Sequence, residues 1–253
     1  MFTKFQSIRR HMFYAVALSL LLGACQKRLQ YQSTVESLPI NSEISADARI
    51  DSMIAPYKQR LTAEISRVLA YSDTAVERPK NVYEHPLGNF TADLMLQKAQ
   101  ALQPQTSLSV ITFGGLRTGF PAGAVTVGHM FELMPFENEL VILTVEGKTL
   151  EELFEYMLRK KNTALGGVRL EVAAGKVRNA WIGGKPWDPN QTYRVAISDY
   201  LANGGDDMSF WKEAKQREET GVKIRDIFIE GVEAAGKKGT IHLQLDGRVK
   251  VVE

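Results

Sequence analysis

Two short stretches of the chain carry the residue types that a small-molecule site requires. In the first, Gly114 and Gly115 allow the backbone to approach a ligand closely, and Arg117 places a fixed cation beside them. Phe136 and Asn138 follow along the chain and add an aromatic ring and an amide. This combination predicts a site for a flat, partly anionic small molecule.

The second stretch follows an apolar strand pattern and reads Tyr200-Leu201-Ala202-Asn203-Gly204-Gly205-Asp206. A tyrosine ring can stack on a heterocycle, and an aspartate on a glycine turn can accept hydrogen bonds from the vicinal hydroxyls of a ribose. A second interpretation stays open, in which Tyr200 and Phe136 pack in the core and the glycines form an ordinary turn.

Several kinds of chemistry are excluded by the residue types that the sequence contains. There are four histidines and one cysteine, with no Asp-x-His, no Asn-His-Glu and no pair of histidines at the spacing of metal ligands. We therefore expect neither a metal centre nor a cofactor in this chain. His85 and His129 are interpreted as structural residues rather than as catalytic bases. The net charge of +2 is spread along the chain, which argues against a nucleic-acid partner.

The start of the chain has the pattern of an exported protein. Three basic residues precede an apolar run over residues 12–22, which is short for a transmembrane helix and typical of a signal peptide. The run ends in Leu22-Gly23-Ala24-Cys25, which resembles a bacterial lipobox. We predict a lipoprotein signal peptide over residues 1–24, lipidation of Cys25, and a polar tether over residues 25–43. The alternative is an ordinary signal peptide with an incidental cysteine.

These features predict a lipid-anchored membrane protein of the bacterial cell envelope, exported from the cytoplasm. With its only cysteine at the predicted lipidation site, the chain has no cysteine left for a disulfide. The fold must then depend on its hydrophobic core, which a chain of this length can provide.

The apolar periodicity predicts helices and strands that interleave without the regular alternation of a doubly wound sheet. An amphipathic helix is predicted over residues 44–71, which Pro56 should split or kink near Ala55. We therefore predict an α+β fold, with mixed β-sheets and helices packed outside them, in one domain over residues 44–253. The other predicted helices cover 90–102, 150–161 with Thr149 as the cap, and 224–235; predicted strands cover 108–112, 139–145, 168–172, 193–197 and 241–251, with a hairpin over 180–187.

From residue 44 to its end, the chain resembles the C-terminal domain of the 5′-nucleotidase / UDP-sugar hydrolase / 2′,3′-cyclic phosphodiesterase family. The resemblance depends on five blocks that occur in the order typical of the family. They are Pro86-Leu87-Gly88-Asn89-Phe90-Thr91-Ala92-Asp93, Gly114-Gly115-Leu116-Arg117, Pro121-Ala122-Gly123-Ala124-Val125-Thr126, Leu133-Met134-Pro135-Phe136-Glu137-Asn138 and Tyr200-Leu201-Ala202-Asn203-Gly204-Gly205-Asp206.

The resemblance implies a role for each candidate residue. In the family, an N-terminal metallophosphatase domain binds two metal ions and cleaves the phosphate ester, while the C-terminal domain binds the nucleoside part of the substrate. By resemblance, Phe136 and Tyr200 would clamp the base and Asp206 would accept the ribose hydroxyls. Arg117 would contact phosphate or ribose, and Asn138 would contact the base edge or support the groups that do.

The chain departs from the family pattern at three points. Thr112 stands where the family often has an asparagine, which removes an amide contact to the base. The loop over residues 80–84 lacks the arginine that many members carry, so phosphate binding would be weaker or would depend on Lys80. The metal-bearing domain is not among these 253 residues. Divalent metal is therefore expected only in a partner metallophosphatase.

Three functions remain open from the sequence. The first is the nucleoside- or nucleotide-binding half of a split 5′-nucleotidase, which works in nucleotide catabolism with a separately encoded metallophosphatase. The second is a stand-alone lipoprotein that binds nucleosides or nucleotides at the cell envelope. The third is a degenerate structural domain in which Phe136 and Tyr200 only pack.

Overall fold

The computed structural model describes residues 33, 37–41 and 44–252. The chain divides into two units, residues 1–51 and residues 52–253. In the first unit, the described residues are exposed and end in the first turn of helix α1 (Ala48–Ile65). The predicted signal peptide, Cys25 and most of the predicted tether lie outside the described residues and stay predictions.

The second unit contains helices and strands that do not alternate regularly, and the five strands over residues 163–198 follow one another without a helix between them. Beyond α1, the helices are α2 (Pro86–Leu102), α3 (Val127–Leu133), α4 (Gly147–Lys160), the short α5 (Asp199–Ala202) and α6 (Ile224–Gly236), with 3₁₀ turns at Gly205–Asp207 and Ser209–Glu213. The strands are β1 (Val68–Ser72), β2 (Leu108–Thr112), β3 (Gly123–Thr126), β4 (Glu139–Glu146), β5 (Thr163–Gly166), β6 (Val168–Ala173), β7 (Lys176–Ile182), β8 (Lys185–Pro186), β9 (Thr192–Ser198), β10 (Gln216–Lys223) and β11 (Val249–Val251).

A mixed five-stranded sheet of order β10-β4-β9-β2-β5 forms the centre of this unit. Only β2 and β9 run parallel in it, with Leu108 opposite Val195, while the other neighbouring pairs are antiparallel. A four-stranded sheet of order β11-β6-β7-β8 and the antiparallel pair β1-β3 complete the architecture. Mixed sheets with helices confirm the predicted α+β class.

Two hydrophobic clusters lie on opposite faces of the central sheet, because successive side chains of a strand point in opposite directions. In β2, Val110 belongs to one cluster and Ile111 to the other, and Val141 and Ile142 of β4 divide in the same way. Helices α2 and α6 contribute to the Ile111 side, and α4 contributes to the Val110 side. The central strands therefore read as continuous apolar runs in the sequence.

The helix starts explain two of the histidines. Pro86 occupies the first turn of α2, where its missing N–H costs nothing, and Nδ1 of His85 accepts a hydrogen bond from Leu87 N over 3.3 Å. Burial lowers the pKa of His85, which keeps this nitrogen available as an acceptor. At α3, His129 N donates to Thr126 Oγ1 and Thr126 N donates to His129 Nδ1, which is a reciprocal capping box. His85 is therefore the N-cap of α2, and His129 is the capping-box partner of the N-cap Thr126 of α3.

Three predicted helices differ from the observed ones. α2 begins at Pro86, four residues before its predicted start at Phe90. α1 continues through Pro56 without a break and ends at Ile65, because the residues after Arg67 form β1, which pairs with β3. α4 begins at Gly147, so Thr149 lies inside the helix rather than capping it. Pattern alone placed these boundaries wrongly, since strand pairing and tertiary packing decide where a helix begins and ends.

Several strands also differ from their predictions, and β3 and β5 had no predicted counterpart. β10 was not predicted, because it is an edge strand rich in charged residues and faces solvent along much of its length. The predicted closing strand over 241–251 is reduced to β11. Before β11, the backbone N–H groups of residues 246–248 donate to one oxygen of Glu84, so they do not pair with a strand. The predicted hairpin is present as β7 and β8.

None of the helices in the described part of the chain has the length and apolarity needed to cross a membrane.

Candidate functional site

The candidate site is a cavity of about 350 Å³ at one edge of the central sheet. Because β2 and β9 are parallel, their carboxyl ends meet at this edge, and the antiparallel β4 begins there. All five residues that the sequence predicted for a site line this cavity: Arg117, Phe136, Asn138, Tyr200 and Asp206. Their roles toward a ligand stay predictions.

Arg117 and Phe136 form one wall of the cavity. The Arg117 backbone N–H donates to the carbonyl oxygen of Leu133 over 2.9 Å, which ties the glycine loop to the end of α3. The Arg117 guanidinium carbon lies 5.9 Å from the centre of the Phe136 ring, at the outer limit of a cation–π contact. Phe136 is 41% exposed, so this ring is not core packing. The structure therefore disfavours the packing interpretation for Phe136.

The segment that carries Phe136 and Asn138 is fixed from behind by α6. Arg225, in the first turn of that helix and only 7% exposed, donates through Nη1 to the carbonyl oxygens of Met134 and Phe136 over 3.3 and 3.4 Å. Its Nη2 pairs with the carboxylate of Glu137. The pKa of Glu137 is lowered by this hydrogen bond and by the charge of Arg225. No sequence pattern marks Arg225 as part of the site, because it lies far along the chain from Phe136 and Glu137, which it contacts.

Tyr200 and Asp206 lie against each other in the lining of the same cavity. The Tyr200 hydroxyl donates to Asp206 Oδ1 over 3.0 Å and accepts from Asp206 N over 3.2 Å. A Cβ atom at Gly205 would lie 2.4 Å from Cε1 of Tyr200, so only glycine allows the ring to rest on this turn. Tyr200 is 51% exposed, which places its ring at the mouth of the cavity rather than in the core.

Thr112 is a functional candidate that sequence reasoning noticed only as a departure from the family pattern. Its hydroxyl donates to Asp206 Oδ2 over 2.6 Å, across 94 positions of sequence. Asp206 has a left-handed backbone, with φ of 52°, and its carbonyl accepts a hydrogen bond of 2.8 Å from the Tyr156 hydroxyl. Burial raises the pKa of Tyr156, which keeps that hydroxyl protonated as a donor.

The chemical character of the cavity follows from its lining. Arg117 is the only cation and Asp206 the only carboxylate among the described residues that line it. Much of the remaining surface is apolar, including Met95, Ile111 and Met134. Such a lining suits a flat ring with polar substituents at its two ends. Lys80, the predicted substitute for the missing phosphate-binding arginine, is exposed and lies outside this lining.

Among residues 33, 37–41 and 44–252, no group of three or more histidine, cysteine, aspartate or glutamate side chains is arranged to hold a metal ion.

The chain is similar to known proteins over most of its length. It is 28% identical over 242 residues to the trifunctional nucleotide phosphoesterase protein YfkN of Bacillus subtilis, a match that covers 87% of this chain and 16% of that protein. It is 27% identical over 189 residues to a 5′-nucleotidase of Vibrio vulnificus, which covers 72% of this chain and 33% of that one. The chain therefore spans a third or less of the length of these two relatives.

A solved structure has the same fold. The crystal structure of a 5′-nucleotidase precursor from Thermus thermophilus superposes with a TM-score of 0.69 at 27% identity, covering 80% of this chain and 43% of that one. The profile of the 5′-nucleotidase C-terminal domain matches residues 62–213, which is more than half of the chain. On the strength of that match and of the shared fold, this chain belongs to the 5′-nucleotidase C-terminal domain family.

Proposed function

We propose that this chain is the nucleoside- or nucleotide-binding half of a split 5′-nucleotidase. The observation that carries the proposal is that Arg117, Phe136, Tyr200 and Asp206 line a single cavity. In this proposal a separately encoded metallophosphatase subunit binds the divalent metal and hydrolyses the phosphate ester. The present chain binds and orients the substrate for that subunit.

Each side chain has a task that fits its chemistry. The exposed rings of Phe136 and Tyr200 stack on the base, and such stacking contributes about 1–3 kcal/mol per base. The carboxylate of Asp206 accepts hydrogen bonds from the ribose hydroxyls. Arg117 binds phosphate or ribose oxygens, to which its planar guanidinium is suited. Asn138, half-buried in the cavity wall, contacts the base edge or supports the groups that do.

The proposal places this half at a membrane of the bacterial cell envelope. Acylation of Cys25 after removal of residues 1–24 would anchor the chain, and the polar residues 25–43 would let the binding domain stand away from the lipid. Incorporation of labelled fatty acid into the chain, and its loss in Cys25→Ser, tests this part by itself. Equal labelling of both chains would contradict lipidation at Cys25.

Calorimetric titration with adenosine and then AMP tests the binding role. The full chain, purified in a mild detergent, should give saturable heat with at least one of these ligands. Tyr200→Ala should weaken binding by about 1–3 kcal/mol, because it removes one stacking surface. Tyr57→Ala removes a tyrosine of α1 that is more exposed than Tyr200 and lies outside the cavity, and this variant should bind like the original chain. Absence of heat with every nucleoside and nucleotide would contradict the proposal.

Phosphate release separates the split enzyme from a stand-alone binding protein. The chain alone, supplied with AMP and a divalent metal, should release no phosphate. Hydrolysis should increase when the chain is added to its metallophosphatase partner, and Tyr200→Ala should increase it less. A partner that hydrolyses AMP equally well without the chain would contradict the split enzyme and leave the stand-alone binding lipoprotein as the function.

A further inference from the structure

Both oxygens of the Asp206 carboxylate are already engaged by hydroxyl groups of the protein. Thr112 Oγ1 donates to Oδ2 over 2.6 Å, and the Tyr200 hydroxyl donates to Oδ1 over 3.0 Å. An ionised carboxylate offers about four lone-pair positions, so about two remain for a ligand. Two acceptor positions on one rigid group match the two hydroxyls of a vicinal diol.

The two hydroxyls reach the carboxylate from different sides. Thr112 is 3% exposed and stands at the end of β2, where its backbone pairs with Thr163 of β5. Its hydroxyl is therefore held by the sheet and reaches Asp206 from the interior. Tyr200 is 51% exposed and reaches Asp206 from the solvent side. Together the two contacts fix the rotation of the carboxyl group about its side-chain bonds.

The backbone of Asp206 is held as well. Its left-handed conformation is stabilised by the hydrogen bond from the buried Tyr156 hydroxyl to its carbonyl oxygen. Nδ2 of Asn162 donates to the same Tyr156 hydroxyl over 3.2 Å, which orients it. A carboxylate fixed in both backbone and side chain loses little conformational freedom when a ligand binds.

We propose that the hydroxyl groups of Thr112 and Tyr200 are positioning groups that fix Asp206 for a vicinal diol. The site then distinguishes ribonucleosides from nucleosides that lack the 2′ and 3′ hydroxyls, and this selectivity depends on Thr112 and Tyr200. The inference rests on the proposed nucleoside-binding function and extends it to the class of sugar. Thr112 stands where the family often has an asparagine that contacts the base. In this proposal Thr112 orients Asp206 instead.

The test is the ratio of affinities for adenosine and 2′,3′-dideoxyadenosine, measured by calorimetry on the full chain. The original chain should prefer adenosine. Thr112→Val keeps the shape of the side chain and removes the donor, so the preference should fall about tenfold, as for a lost hydrogen bond to a charged group. Thr112→Ser keeps the hydroxyl and should restore the preference.

A matched variant controls for general damage. Thr91 is also buried, and its hydroxyl donates to the carbonyl oxygen of Leu87 within α2 over 2.9 Å. Thr91→Val therefore removes one buried threonine hydroxyl outside the cavity lining. It should lower thermal stability to a similar extent as Thr112→Val and leave the affinity ratio unchanged.

Tyr200→Phe provides a second, independent test, because Tyr200 is exposed and the variant keeps the ring. Its preference for adenosine should also fall, because the ring is retained for stacking while the hydrogen bond from its hydroxyl to Asp206 Oδ1 is lost. Tyr200→Phe therefore tests the positioning role even if Thr112→Val fails to fold.

The outcomes separate the inference from the function on which it rests. Equal binding of both nucleosides by the original chain, or an unchanged preference in Thr112→Val and Tyr200→Phe, would overturn the positioning role and leave nucleoside binding intact. Failure of the original chain to bind either nucleoside would overturn the proposed function itself.

Discussion

Arg225 Nη1 donates a hydrogen bond of 3.4 Å to the main-chain carbonyl oxygen of Phe136, although 89 positions of sequence separate the two residues. The same nitrogen also donates to the carbonyl of Met134, and the guanidinium carbon lies 4.1 Å from the centre of the Phe131 ring. The position of the exposed Phe136 ring is thus set by a buried cation on α6.

Arg225→Met should therefore weaken both folding and ligand binding. Two backbone carbonyls lose a charged donor, and we expect the free energy of unfolding to fall by about 1–3 kcal/mol. Affinity for adenosine should fall as well, because the Phe136 ring is no longer held. Urea unfolding and calorimetry measure the two effects. Lys98→Met, which breaks only an exposed pair with Glu230, should change stability by less than about 1 kcal/mol and leave binding unchanged.

Binding that stays unchanged in Arg225→Met, at a temperature where the variant is folded, would show that Phe136 needs no support from Arg225.

Arg117→Gln should weaken AMP binding more than adenosine binding. Arg117 is the only cation in the described lining of the cavity, and a lost charge-assisted hydrogen bond costs about 1.5–3 kcal/mol. Adenosine carries no phosphate, so its affinity should fall much less than that of AMP. Calorimetric titration with both ligands measures the difference. Arg178→Gln makes the same change of charge on an exposed strand position outside the cavity and serves as the control.

If Arg117→Gln weakens the binding of adenosine and of AMP equally, Arg117 contacts ribose rather than phosphate. Unchanged affinity for both ligands would mean that Arg117 contacts neither of them.

Gly88→Ala should destabilise the fold, although alanine favours a helix over glycine by about 1 kcal/mol. A Cβ atom at position 88 of α2 would lie 2.7 Å from Cε1 of Phe113 and 2.9 Å from Cβ of Ala164. The Phe113 ring is 3% exposed, so it cannot easily move away. Overpacking costs about 1–3 kcal/mol and should exceed the gain in helix propensity.

Urea unfolding of Gly88→Ala measures the net effect. Gln97→Ala, at an exposed position of the same helix, reports helix propensity without overpacking and should be neutral or slightly stabilising. A more stable Gly88→Ala would show that the Phe113 side of α2 has room for a methyl group.

Stability should depend on pH through Asp246. Arg248 Nη2 donates to Asp246 Oδ2 over 2.8 Å, and this hydrogen bond lowers the pKa of Asp246 from 3.8 to about 2. Because the pKa is lower in the folded state, the contribution is complete above pH 3.8 and is lost as the pH falls toward 2. The carboxyl is 42% exposed, so solvent screens part of the effect.

Thermal unfolding across this range should show a steeper loss of stability in the original chain than in Asp246→Asn, which has no carboxyl to protonate. Parallel curves for the two chains would mean that the Arg248 contact contributes nothing to the acid sensitivity of the fold.

Local patterns in the sequence were sufficient to identify the candidate residues. Glycine pairs, an arginine, two aromatic residues and an aspartate lie in short blocks, and the type and spacing of side chains within a block are visible without a structure. The α+β class and the central apolar strands also followed from local periodicity, because burial of a strand depends on the residues that it contains. β10 was missed for the same reason, since its charged residues lack that pattern.

Only the tertiary structure decided how these blocks meet. The parallel pairing of β2 with β9 brings Thr112 to Asp206, and the start of α6 brings Arg225 to Phe136. Both contacts join residues about ninety positions apart. Non-local strand pairing and helix packing create such neighbours, and local propensity carries no information about them. The sequence alone therefore determined which side chains could bind a ligand, and the fold determined that they share one cavity and which residues hold them in place.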